Sequence, residues 1–209
     1  GLGKFQSDLY ILAGDAEQLL FSLIREDIPP QKPAIPANNR VEPAPKPEVV
    51  KGVYTTGWGA GVPSLLADLL DFINQTGINT LVIEFKDDRG ILSYLSDLPL
   101  AVEINAGRPK IKETAELLRI LKEYHIYPVA RVCVFKDSVL AKSHPELAVR
   151  GPGGELFRDA RGLAWVDPNS RMAWDYNIAI AREIAKMGFT EIQFDYLRYP
   201  DVKEGNCVY

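Results

Sequence analysis

Four β-rich runs alternate with three stretches of helical period between Val49 and Tyr196. The runs are Val50 to Thr56, Thr80 to Lys86, Tyr127 to Phe135 and Glu191 to Tyr196. After the first, Val62, Leu65, Leu66, Leu69, Leu70 and Ile73 recur at the spacing of one helix face, with Pro63 suited to the first turn and Gly77 to the C-terminal cap. Ala115, Leu118, Leu121 and Tyr124 mark a second helix. Tyr176, Ile180, Ile184 and Met187 mark a third, opened by Asp167-Pro168 or Ser170 and closed by Gly188. A βαβαβαβ order implies parallel strands joined by right-handed crossovers. The predicted fold is α/β, covering about the first four strands of a parallel β/α barrel.

The connections are unequal. Helix-to-strand turns are short, whereas residues 87–110 and 136–167, which follow the second and third strands, are far longer than a crossover needs. Both leave strand C-terminal ends, the edge on which parallel α/β folds build ligand sites. Splitting each strand by parity gives two faces. One, with Val53, Leu81, Ile83, Phe85, Ala130, Val132, Ile192 and Phe194, is mostly apolar and suits packing against helices. The other, with Tyr54, Glu84, Lys86, Arg131, Cys133, Glu191, Gln193 and Asp195, is polar and would point into a barrel. Burying Glu84, Lys86, Arg131 and Asp195 together is costly unless they pair with one another or with a ligand. Two readings follow: an ion-pair network that only fixes geometry, or an active site with Asp195 at the strand end as its leading acid.

Several chemistries are disfavoured. The formal net charge is -4 and no basic run could track a phosphate backbone, so nucleic acid is not an expected partner. Cys133 and Cys207 form neither a disulfide framework nor a zinc site, and His125 and His144 lack a second histidine at ligand spacing. No G-x-S-x-G elbow supplies a serine nucleophile. Gly57-Trp58-Gly59-Ala60-Gly61 superficially resembles a dinucleotide turn, but its third glycine comes one residue early and Trp58 is bulky where a pyrophosphate would approach. On a mobile glycine-rich loop, Trp58 suits a stacking platform for a sugar ring or a cover for the barrel mouth. Asp87-Asp88 reads as a solvated turn rather than a metal site, and no cofactor is expected. Residues 28–48, with seven prolines, read as a linker that ends where the domain of residues 49–209 begins. Residues 1–27 carry an apolar pattern compatible with a helix or the remnant of another module, without an assigned role.

Five separated blocks are similar to a known family. They are Lys51-Gly52-Val53-Tyr54, Ile78 to Asp88, Tyr127 to Val132 with Phe135-Lys136-Asp137, Gly162 to Pro168, and Gln193-Phe194-Asp195-Tyr196-Leu197-Arg198-Tyr199-Pro200. Together they resemble a glycoside-hydrolase-like barrel family of bacterial proteins, long catalogued as a domain of unknown function. The resemblance implies a (β/α)8 TIM-type barrel, often exported or anchored outside the membrane, acting on a polysaccharide or cell-wall glycan. It makes Asp195 the nucleophile or oxocarbenium stabiliser and Glu84 the same-face carboxyl, at a position where aspartate is usual. Trp58, Lys86, Asp87, Arg131, Gln193, Tyr196 and Arg198 become expected substrate-binding or orienting residues. The family continues through four more strands, so a partner acid is expected beyond Tyr209. Half a barrel would leave two strand edges unpaired and favour self-association. A non-catalytic carbohydrate-binding barrel and a nucleotide-dependent α/β enzyme are the alternatives.

Overall fold

The computed structural model describes residues 9–12, 42–202 and 207–209. Most of the N-terminal apolar pattern and residues 28–41 of the linker lie outside the described residues. In chain order the elements are β1 (Leu9–Leu12), β2 (Gly52–Thr55), α1 (Gly57–Gly61), α2 (Pro63–Asn74), β3 (Thr80–Lys86), α3 (Pro99–Glu103), α4 (Thr114–Glu123), β4 (Tyr127–Cys133), α5 (Ser138–Ser143), a 3-10 turn (Pro145–Leu147), α6 (Arg171–Met187) and β5 (Glu191–Asp195). They build one five-stranded sheet in the order β1-β5-β4-β3-β2. Strands β2 to β5 are parallel, as the alternating pattern requires. The segment expected as a helix or a remnant contributes β1 instead, antiparallel to β5. An open β5 edge is a template for any short apolar run, and β1 covers it.

Helix ends follow local chemistry. Ser170 caps α6 by accepting a hydrogen bond from the Ala173 N–H, and Gly188 ends it at φ 118°, a left-handed conformation that glycine adopts without strain. Helix α2 stops at Asn74 without using Gly77. Gln75 N–H reaches Phe72 O, and the Thr76 hydroxyl donates to Ile73 O at 2.9 Å, so the last carbonyls are already satisfied.

The apolar strand face packs as expected. Leu81, Ile83, Phe85, Ala130, Val132 and Ile192 are buried, and the Phe85 ring meets Phe189 edge-on at 4.7 Å. The polar face departs from expectation at Lys86. Glu84 pairs with Arg131 but Lys86 pairs with Val132, so a bulge at Phe85 turns Lys86 to the helix side. There it is fully buried, with Nζ 2.7 Å from Asp137 Oδ2, 2.8 Å from Asn177 Oδ1 and 3.3 Å from Val134 O.

The glycine-rich segment is a helical turn, not a mobile loop. Thr56 caps α1 through the Gly59 N–H. A Cβ at Gly57 would lie 2.2 Å from Ser93 Oγ, at Gly59 2.2 Å from Thr55 Oγ1, and at Gly61 1.8 Å from Lys110 O. The three glycines are small because neighbours press on them, which accounts for the motif without a phosphate. Gly61→Ala meets a backbone carbonyl that cannot swing away and is expected to cost about 1–3 kcal/mol in denaturant unfolding. Gly77→Ala, whose nearest neighbour is 3.8 Å away, is the matched control and is expected to change little.

Candidate functional site

The polar strand faces line an open cleft of about 720 Å³. Register arranges them in tiers: Tyr54 stands beside Val82 and Val129, then Glu84, Arg131 and Gln193 lie side by side, and Asp195 pairs with Cys133 at the strand ends. Arg131 is the hub. Its Nη1 donates to Glu84 Oε1 at 2.9 Å, its Nε donates to Asp195 Oδ2 at 2.9 Å, and its Nη2 also reaches Asp195 Oδ2. One guanidinium on the middle strand thus holds a carboxylate on each neighbour, which is how these charges tolerate partial burial. Tyr54 adds a hydrogen bond from its hydroxyl to Glu84 Oε1 at 2.7 Å. Burial first, then Glu84 itself, pushes the Tyr54 phenol above its ordinary range, so it stays a donor. Asp195 Oδ1 accepts from the Tyr196 N–H at 2.6 Å, and 29 % of its side chain remains exposed. Burial likewise raises the Cys133 thiol, which keeps it from acting as a thiolate nucleophile.

The rim comes from the two long loops. Asp88 and Arg161 line the cleft and pair at 3.0 Å, and Asp88 also faces Lys136 Nζ at 3.6 Å. Lys136 reaches Asp159 at 2.9 Å and lies over the rings of Tyr196 and Trp165. Burial alone would raise the Asp159 carboxyl, but hydrogen bonds from Lys136, Leu163 N–H and Trp165 outweigh it and bring it below the usual range. Val139 N–H donates to Arg89 O at 2.9 Å, tying one loop to the other. Tyr196 lines the cleft from a left-handed backbone at φ 53°, its ring edge-on to Trp165 at 5.5 Å. A bulky residue held there is strained, and such strain concentrates at ligand sites.

Glu84, Arg131, Gln193 and Tyr196 therefore line one cleft, with Asp195 bound to Arg131 beside them. Four expected residues stand elsewhere. Lys86 is behind the sheet, as described. Asp87 accepts from the Arg89 and Ile91 N–H groups and pairs with Lys110, organising a turn rather than facing the cleft. Trp58 is 56 % exposed on α1, outside the cleft lining. Arg198 lies over the Trp165 and Tyr196 rings and pairs with Asp201, not with Asp195. Sequence reasoning missed Asp88 as a cleft residue, and Arg161 altogether; the length of their loops was the available signal. Among the described residues, no group of three or more His, Cys, Asp or Glu side chains could hold a metal ion.

At the cleft floor, Glu191 Oε2 receives Lys46 Nζ at 2.6 Å and the Tyr127 hydroxyl at 2.9 Å. Ala44 is buried nearby in sequence, so the end of the proline-rich segment docks on the domain. Burial raises the Tyr127 phenol, Thr190 offsets part of the effect and Glu191 adds to it, for a value of about 12 against 10.0 when unperturbed. A folded pKa above the unfolded one stabilises fully below pH 10.0, and that contribution disappears as pH rises through about 12. Tyr54, Tyr94 and Tyr176 shift in the same direction. The expected result is a melting temperature that falls steeply above about pH 10, with a shallower fall in Tyr127→Phe, checked by thermal scans alongside tyrosinate absorbance.

Residues 52–209 match the family described as "Putative glycosyl hydrolase domain". A crystal structure of a hypothetical protein from Ruminiclostridium thermocellum ATCC 27405 is 40% identical, with a TM-score of 0.67 over 71% of this chain and 78% of that one. The noncanonic maltogenic alpha-amylase AmyB from Thermotoga neapolitana gives 16% identity and a TM-score of 0.44, over 66% of this chain and 36% of that one. The GH36 alpha-galactosidase AgaA from Geobacillus stearothermophilus gives 17% and 0.43, over 68% of this chain and 20% of that one. No curated protein matches. The family match takes in every cleft-lining strand and both rim loops, and on it the chain belongs to the putative glycosyl hydrolase domain family.

Proposed function

We propose that this chain supplies part of the active site of a glycoside hydrolase that cleaves or transfers glycosidic bonds in a polysaccharide or cell-wall glycan, on a (β/α)8 barrel. The observation that carries the reading is the Glu84–Arg131–Asp195 bridge beside an open cleft. Both Asp195 oxygens accept hydrogen bonds, two at Oδ2 from Arg131 and one at Oδ1 from the Tyr196 N–H, which suits an anionic nucleophile or oxocarbenium stabiliser. Both bonds to Glu84 arrive at Oε1, leaving Oε2 to exchange a proton with a leaving group or water. Glu84 is the acid/base candidate within this chain, and a carboxyl from a later strand is the other. Gln193 and Tyr196 position the sugar. Extracytoplasmic placement and association with the cell envelope belong to the same proposal, supported by the proline-rich segment 28–48.

A binding-only barrel is the second reading, because both carboxylates are already ion-paired with Arg131. Titrating polysaccharides against the full-length protein while following binding and reducing ends separates the two. Release of reducing ends supports the hydrolase; binding without release supports the second reading. Strand β2 is outermost in the described sheet, and self-association through it is expected to appear as concentration-dependent sedimentation of residues 1–209. A single monomeric species across concentrations would count against it.

A further inference from the structure

Among the described residues, the five charged ones that line the cleft are all in ion pairs. Arg131 holds Glu84 and Asp195, Arg161 holds Asp88, and Glu191 takes Lys46. Lys136, next in line at the rim, is nearly buried and sits between Asp88 and Asp159. Among these described pairs, the five carboxylates of Glu84, Asp88, Asp159, Glu191 and Asp195 face the four cations of Lys46, Arg131, Lys136 and Arg161, an excess of one negative charge.

That balance bears on which sugars can enter. A uronate or phosphate group needs a cation with capacity to spare. At the largely buried Arg131 and Lys136 it would have to displace a carboxylate already in contact, and at the exposed Arg161 it would lie beside Asp88 as a like charge. A hydroxyl has no such conflict, because it donates and accepts at once. It can donate to the carboxylate and accept from the guanidinium of an existing pair without separating them. The Arg161–Asp88 pair is placed for this, with 68% of the Arg161 side chain exposed at the rim and the strained Tyr196 lining the same cleft.

We infer that the cleft selects uncharged, hydroxyl-rich glycans and rejects those bearing carboxylate or phosphate groups. The inference rests on the proposed glycan reading of this cleft and names its substrate class.

The test is calorimetric titration of the full-length protein with neutral cello-, malto-, xylo- and N-acetylated chito-oligosaccharides, and with oligogalacturonides and alginate oligosaccharides of matched length. Reducing ends are followed in the same samples. Neutral oligosaccharides are expected to bind at least about tenfold more tightly than acidic ones. Asp88→Asn, which removes the counter-charge from Arg161, is expected to narrow that gap by raising affinity for the acidic series. Equal or tighter binding of the acidic series, or a preference unchanged in Asp88→Asn, overturns the inference. Cleavage of an acidic oligosaccharide would overturn it while leaving the hydrolase reading standing. Neutral binding without cleavage would do the reverse, and absence of binding by either series would overturn both.

Discussion

Asp195→Asn in the full-length protein is expected to lower the rate of glycan cleavage by at least about a hundredfold, the lower end of what a positioned catalytic group contributes. The substitution keeps the shape of the side chain and an oxygen for the Tyr196 N–H. What it loses is the negative charge at the strand end, where an oxocarbenium-like state would need it, and one acceptor that now takes two Arg131 donors. The amide hydrogens would face the guanidinium donor to donor, so Arg131 is expected to lean toward Glu84. Measured kcat should collapse while the melting temperature moves only modestly, since the site is partly open to water. Glu84→Gln is the companion variant; with both Tyr54 and Arg131 still able to donate to its remaining oxygen, a loss confined to kcat would mark it as the proton-transfer group. Unchanged cleavage in Asp195→Asn would remove Asp195 from the mechanism.

The second large effect is on stability. Asp137→Ala is expected to cost about 3–5 kcal/mol, because it strands the Lys86 ammonium in the interior with one of its oxygen partners gone. A further loss of about 1 kcal/mol comes from the cap of α5, where Asp137 Oδ1 accepts from the Leu140 N–H at 2.8 Å. The change is read as a shift in denaturant midpoint. Asp137→Asn retains the cap and should fall between wild type and alanine. Replacing both partners, Lys86→Met with Asp137→Leu, should recover part of the loss, since no charge is then left buried alone. A single Asp137→Ala shift of well under about 1 kcal/mol would show that the pair contributes little.

The contrast between these two sites shows what the amino-acid pattern can reveal. Asp195, Arg131 and Glu84 were legible because alternation along a strand places every second side chain on one face; the ladder sets Glu84 beside Arg131 and Arg131 beside Gln193, with Asp195 two residues further along the same face of β5. Lys86 obeys the same count in sequence, yet one bulged residue reverses its side, and a bulge leaves no signature in composition. Asp88 and Arg161 are 73 positions apart and meet only because two loops fold over the same strand ends. The glycine-rich turn could be located but not explained, since the atoms that demand its glycines belong to Ser93, Lys110 and Thr55. Periodicity reports on repeated local geometry, whereas these contacts are set by non-local packing.

The tie between the two rim loops has a kinetic consequence. Val139 N–H on Arg89 O, and Asp88 held by both Lys136 and Arg161, fasten one loop to the other at several points. Edges joined in this way brace one another, so ligand entry is expected to have no separate flap to wait for. In stopped-flow mixing, the observed rate should rise linearly with sugar concentration and show no plateau, with encounter and release alone setting the time course.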